Sequence, residues 1–187
     1  GIIEGLRLIR PEDRFLELVH RLDKDTSGCL IIAKKNSALR VLHEYFRGEG
    51  VDKTYLALLS GRWARKKMTV DAPLQKNISK GGERIVVVSK SGKPAETFFR
   101  RISLLQQSTL VEASPKTGRT HQIRVHAAWL GHPILGDVRY GEEETNRKIK
   151  RRGLKRLFLH AQKLVFNHPV SGVRLSVEAP LPSELEN

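Results

Sequence analysis

A chain of 187 residues, 39% hydrophobic and 29% charged, fits one medium-sized globular domain and has no window near the roughly 20 apolar residues of a membrane-spanning helix. Its 34 Lys and Arg against 20 Asp and Glu give a net charge of +14, spread along the sequence, which favours a polyanionic partner such as nucleic acid without saying which one. The single cysteine, Cys29, excludes an internal disulfide, and the first residues lack the charged start and apolar core of a signal peptide, so the expected compartment is the cytoplasm.

In chain order, the first dense polar stretch is HRLDKDTSG, His20 to Gly28, richer in polar chemistry than a turn requires. Leu30 to Ala33, an apolar run rich in isoleucine, predicts a buried strand leaving that motif. From Asn36, taken as an N-cap, Leu39, Leu42 and Phe46 fall at helical spacing and Gly48 supplies a stop, so a helix should pack on the sheet. The segments KTYLALLSG, ERIVVVSKSGKPAETFFRRI and STLVEASPKTG read as strands separated by turn residues, with SGKP as a hairpin turn. A second helix is predicted from Thr120 to Leu130, stopped by Gly131 ahead of Pro133. In EEETNRKIKRRG the acids precede the bases, an order that complements a helix dipole; a solvated helix is preferred to a dedicated phosphate clamp. RLFLHAQKLVFNHPVSGVRLSVEAP reads as two strands joined by a Pro/Gly turn. The expected class is α+β, with a mainly antiparallel mixed sheet, flanking helices and a central cleft.

Three uses of HRLDKDTSG compete: a calcium loop, a capped structural turn, and a catalytic carboxylate among cations. Asp23, Asp25, Ser27 and Gly28 match the first half of a calcium loop, but its twelfth position, where a bidentate glutamate belongs, is Lys34. Zinc fares no better: His121 and His126 stand five apart, about 140° around a helix, and read as satisfied histidines. Cys29, entering an apolar run, reads as a structural thiol. Lys116 to Gly118, KTG, matches a β-lactamase element without its Ser-x-x-Lys partner, and neither a phosphate-binding P-loop nor clustered carboxylates for a two-metal nuclease occur. No metal is expected. A lone nucleophilic carboxylate, Asp23, paired with an arginine remains, beside a turn in which Asp23 or Asp25 caps backbone amides; spacing alone does not separate these two.

HRLDKDTSG followed by LIIAKK, then KTYLAL, GKPAET, GRTHQIRVH, GHPILGD and LFLHA, in that order, resembles the RluA family of pseudouridine synthases, and within it the subgroup acting on 23S (large-subunit) ribosomal RNA. The likeness spans nearly the whole chain. It implies a cofactor-free, metal-free isomerisation in which the N1 glycosidic bond of a uridine breaks, the uracil rotates and C5 joins C1′. By motif, Asp23 would be the nucleophile, attacking uracil C6 or ribose C1′. Tyr55 would stack on the uracil and take the C5 proton late in the reaction. Arg124 would pair with Asp23, and Ile123 would pack on the base. Arg21 would fill the gap left by the flipped nucleotide, a step required because the reacting atoms are otherwise stacked. His20 and Leu22 are expected beside the substrate as part of the same motif. A KPxG-like strand and an N-terminal RNA-binding domain, usual upstream of HRLD in the family, are not found in these residues, so 1–187 is expected to be a catalytic domain, by default a monomer.

The leading expectation is therefore an RNA pseudouridine synthase. The rival is a non-enzymatic RNA-binding or ribosome-assembly module using the same basic cleft, against which the Asp23, Tyr55 and Arg124 set argues, since a pure binder has no use for a carboxylate that repels phosphate. A metal-dependent nuclease lacks a ligand set.

Overall fold

A computed structural model describes residues 1–78 and 84–186. In order it contains α1 (Ile2–Ile9), β1 (Glu17–Leu18), β2 (Ser27–Gly28), β3 (Ile32–Ala33), α2 (Asn36–Arg47), β4 (Val51–Ser60), β5 (Lys67–Asp71), β6 (Leu74–Ile78) and β7 (Arg84–Val88), followed by β8 (Glu96–Leu104), β9 (Ser108–Pro115), α3 (Gln122–Trp129), α4 (Glu143–Arg151), β10 (Leu159–Asn167), β11 (Arg174–Glu178) and α5 (Ser183–Glu186). The main sheet runs β11-β10-β4-β9-β8-β5, with β2 added to β10, and two small ladders pair β1 with β3 and β6 with β7. All pairings are antiparallel except β2 on β10, which is parallel. Among the described residues no helix is long and apolar enough to cross a membrane.

Alternation along the central strands puts one face of the sheet inward. On that face Ala57, Leu59, Val111 and Ala113 join Ile123 and Ala127 of α3 in the larger core. Val51, Leu164 and Phe166 join Cys29 and Leu42 of α2 in a second one. Between these two cores β4 presents Lys53 and Tyr55, two residues apart and therefore on one face. The row through Tyr55 is built from small residues: Ala161 of β10 lies opposite it on one side, Ala113 of β9 on the other, and Gly28 of β2 opposite Ala161. A tyrosine ring thus stands over a sheet whose neighbours in register leave room beside it.

Gly28 has no substitute in this arrangement. Its φ is +116°, and a Cβ there would lie 2.2 Å from the carbonyl oxygen of Ala161, so the motif docks on β10 backbone against backbone.

The sequence reading fits α2, α3, α4 and the β10–β11 hairpin within about three residues at each end. Four details differ. The run Leu30 to Ala33 is not one buried strand: only Ile32 and Ala33 pair, with β1, and Ala33 is its one buried position. The helix cap position is Lys35, and Asn36 is already helical, with no side-chain cap bond. SGKP is not a hairpin turn, because β7 pairs with β6 and β8 with β5 and β9; the turn is Ser89 to Gly92, and Lys93 then exchanges two backbone hydrogen bonds with Leu74. Glu83, the first residue of the predicted run ERIVVV, lies outside the described residues. Helix α1 and strands β5 and β6 were not predicted, being short or polar; α1 buries none of its residues.

Candidate active site

Asp23 opens a tight turn in which the Thr26 N–H donates to the Asp23 carbonyl at 3.0 Å. Asp25 within it adopts the left-handed region, φ 68°, and its carbonyl accepts from Arg156 Nη2 at 2.7 Å. The chain then runs into β2, where the Ser27 hydroxyl lies 2.8 Å from His160 Nδ1, and the other nitrogen of that buried ring donates to the Ala179 carbonyl at 3.1 Å. The turn is thereby fixed at both ends, and the Asp23 side chain is left 21% exposed at the wall of a cavity of about 160 Å³. The oxygens suggested by the calcium-loop pattern diverge: Asp23 goes to Arg124 and Ser27 to His160.

Arg124, from the first turn of α3, places Nη1 3.3 Å from Asp23 Oδ2. It is not free to move. Its Nε and Nη2 donate to both oxygens of Asp137 at 2.8 and 2.9 Å, a bidentate fork. Asp137 has a fully buried side chain and also accepts the backbone N–H groups of Arg139 and Tyr140, at 2.9 and 3.1 Å. Burial opposes the charge of both partners, yet the hydrogen bonds and mutual attraction outweigh it: the Asp137 carboxyl is held below its ordinary range and the Arg124 guanidinium above its own. The guanidinium carbon lies 5.1 Å from the centre of the Tyr140 ring.

Tyr140 continues the network. Its hydroxyl oxygen accepts the Val86 N–H at 3.0 Å and lies 2.7 Å from His121 Nδ1, while His121 Nε2 lies 3.9 Å from Asp23 Oδ2. Burial lowers the His121 pKa, the Asp23 charge pulls it back, and Arg124 and Arg139 push it down again; the ring is held towards its neutral form. His121, read from sequence as a satisfied histidine, is thus also a cavity wall, whereas His126 is buried and bonded at both nitrogens, to Thr97 and the Ala72 carbonyl.

Tyr55, Leu22, Arg21 and Ile123 all line the same cavity as Asp23 and Arg124, with Arg21 exposed at its edge and Ile123 buried against the core. Burial, and then the charge of Asp23, push the Tyr55 phenol up to about 12. Lys53, which sequence reasoning passed over, is buried in the same wall, and burial lowers its pKa. Asp137 and Tyr140 were missed too: Asp137 belongs to GHPILGD, a string with no charge pattern to mark it as the residue that clamps Arg124.

His20 is the one expected substrate neighbour that does not line the cavity. Its ring stacks on Phe46 of α2 with centroids 4.4 Å apart, and Nε2 accepts the Ile31 N–H at 3.1 Å. Burial, with Lys53 nearby, lowers its pKa to about 4, below the ordinary histidine value, so between about pH 6.5 and 4 the unfolded chain binds a proton that the folded chain refuses. Folding stability is expected to fall with pH across that interval and to level off below it. His126 and His121, also lowered, act in the same sense. Urea midpoints from pH 7.5 to 4.5 test this: a His20→Asn variant should start less stable but lose less on acidification, and an unchanged slope would remove His20 from the effect.

Comparison with known proteins adds to this geometry. A family profile described as RNA pseudouridylate synthase matches residues 7–129. The chain is 56% identical over 187 residues to Ribosomal large subunit pseudouridine synthase C of Yersinia pestis and 56% identical over 188 residues to the protein of that name from Escherichia coli (strain K12). All of this chain takes part in both alignments, but it spans only 58% and 59% of those relatives' lengths. Among solved structures, Human RNA Pseudouridylate Synthase Domain Containing 1 superposes with a TM-score of 0.80 at 30% identity, covering 97% of this chain and 74% of that one.

Proposed function

Because the chain belongs to the RNA pseudouridylate synthase family, we propose that it isomerises uridines of large-subunit ribosomal RNA to pseudouridine, with Asp23 as nucleophile and residues 1–187 as the catalytic domain. The observation that carries this reading is the line Asp23–Arg124–Asp137: a partly exposed carboxylate at a cavity wall, facing a guanidinium whose direction and charge are set by a second, fully buried carboxylate.

The chemistry follows from the wall. A flipped uridine enters, since its reacting atoms are out of reach in a stacked strand, and the +14 surface offsets part of the few kcal/mol that unstacking costs. The Asp23 carboxylate forms a covalent bond to uracil C6 or ribose C1′, the N1–C1′ bond breaks, the base turns, and the C5–C1′ bond forms. Loss of the C5 proton, uptake of a proton at N1 and departure of Asp23 complete the isomerisation with no net change in atoms or electrons. Arg124 and Ile123 hold the carboxylate and base in place, and Arg21 at the cavity edge takes the space the base vacated.

Tyr55 suits two tasks at different times. As a phenol with its pKa near 12 it is a neutral platform on which the base stacks, a contact worth roughly 1–3 kcal/mol. When Asp23 is bound covalently its negative charge is gone, and one of the causes that raised the Tyr55 pKa goes with it. The phenol then gives up its own proton to solvent more readily, and the phenolate so formed is the species that takes the C5 proton.

Tritium release from a large-subunit ribosomal RNA transcript labelled at uridine C5, with EDTA present, tests the proposal, since C5 gives up its hydrogen only when it joins the sugar. Release supports the chemistry and its independence of metal. Tight RNA binding without release, with a full-length relative active in parallel, would make the non-enzymatic RNA-binding module the better account.

A further inference from the structure

We propose that this protein carries a second RNA-binding surface apart from the base pocket: the groove between α4 and the turn joining β8 to β9, which takes the phosphodiester backbone of the same RNA. The inference rests on the RNA-modifying reading above and adds a site to it.

The groove has a volume of about 1190 Å³, and among the described residues none of those lining it is acidic, whereas four are cationic: Arg62 from the exit of β4, Lys148 and Arg151 from α4, and Arg152 just after it. All four are exposed. Their internal commitments are slight. Arg62 donates one bond to the Leu105 carbonyl at 3.3 Å, and Lys148 meets Glu144 at 3.3 Å in a pair so exposed that solvent screens it. Two glutamines, Gln106 and Gln107, line the opposite side and supply donors of the kind that phosphate and ribose oxygens accept.

Helix α4 is where the alternatives of a solvated helix and a phosphate clamp part. A helix that serves only its own dipole needs bases in its last turn but no facing wall. Here the last turn closes one side of a groove whose other side adds a further arginine and no compensating carboxylate. A polyanion is the occupant such a wall favours, and the flanking strand of the proposed RNA substrate is the polyanion that would reach it. The connection is short: Leu135 lines the groove and Asp137, two residues on, clamps Arg124, a separation of at most about 7 Å along the chain. The groove therefore opens beside the loop that completes the base pocket.

The test compares the parent with a triple variant, Lys148→Gln, Arg151→Gln and Arg152→Gln. Because α4 buries none of its residues, the variant keeps the fold. Affinity for an unlabelled fragment of large-subunit ribosomal RNA is measured across a series of salt concentrations, tritium release is followed on the labelled RNA, and Lys148 of the parent is probed with an acetylating reagent with and without RNA. The slope of log affinity against log salt should shrink by about 2 to 3, KM should rise with kcat unchanged, and bound RNA should protect Lys148. An unchanged slope, or Lys148 equally reactive with RNA bound, overturns the groove while the parent's tritium release leaves the main reading standing. A parent that binds RNA but releases no tritium strikes at that main reading instead, and the slope and protection still decide the groove.

Discussion

Asp23→Asn is expected to abolish isomerisation, lowering the single-turnover rate at least about 10³-fold, as removal of a covalent nucleophile does elsewhere. The substitution keeps the shape of the side chain and takes away only its charge and its capacity to form and leave an ester. The surrounding frame survives: Arg124 stays tied to Asp137 by two bonds at 2.8 and 2.9 Å, and the turn stays tied to β10 through backbone and Ser27. RNA affinity should therefore hold or rise slightly, since a negative charge is removed from a cavity that also holds Arg21, Lys53 and Arg124. Tritium release and binding measured on one preparation separate the two effects. A variant that still turns over would take the nucleophile's role from Asp23.

Arg124→Leu carries the largest expected loss of stability. It leaves Asp137, whose side chain is wholly buried, with backbone amides but no counter-charge, a situation that costs about 3–5 kcal/mol. That is a large fraction of the roughly 5–15 kcal/mol that holds a domain together. Arg124→Lys should recover part of the stability, because a charge returns, but not the rate, because an ammonium cannot hold both oxygens of Asp137 and face Asp23 at once. The double variant Arg124→Leu with Asp137→Asn should be more stable than Arg124→Leu alone, because the buried charge is gone while an amide oxygen still accepts the Arg139 and Tyr140 N–H groups, and should remain inactive. Urea midpoints with tritium release read both quantities. If the double variant is no more stable than Arg124→Leu alone, the unpaired charge is not the cause of the loss.

The parts of this site that sequence made legible are those whose chemistry is local. HRLD places Asp23, Arg21 and Leu22 in one short string, and GRTHQIR places Ile123 and Arg124 in another, so their convergence on one cavity needed only the two strings to meet. Asp137 was illegible because its meaning lies wholly in what it touches: an aspartate after glycine in a turn reads as a turn residue until Arg124 is brought to it. His20 stands apart for the opposite reason. Its place in a polar motif suggests contact with substrate, whereas in the structure its ring stacks on Phe46 and accepts the Ile31 amide. The same distinction holds for the fold. Helices α2 and α3 announce themselves by apolar spacing and by Gly48 and Gly131, whereas β5 and β6 are recognisable only beside the strands they pair with.

The parallel contact between β2 and β10 bears on the order in which the candidate site comes into being. Ser27 meets His160 across a separation of 133 residues, and Gly28 lies against Ala161. The turn that carries Asp23 is held by a strand translated long after it, so a growing chain carries Asp23 without the support that aims it. At ordinary elongation rates that interval is on the order of ten seconds, and contacts of such long range are among the slower ones to close. A nascent chain therefore lacks the frame that holds Asp23 until β10 has emerged.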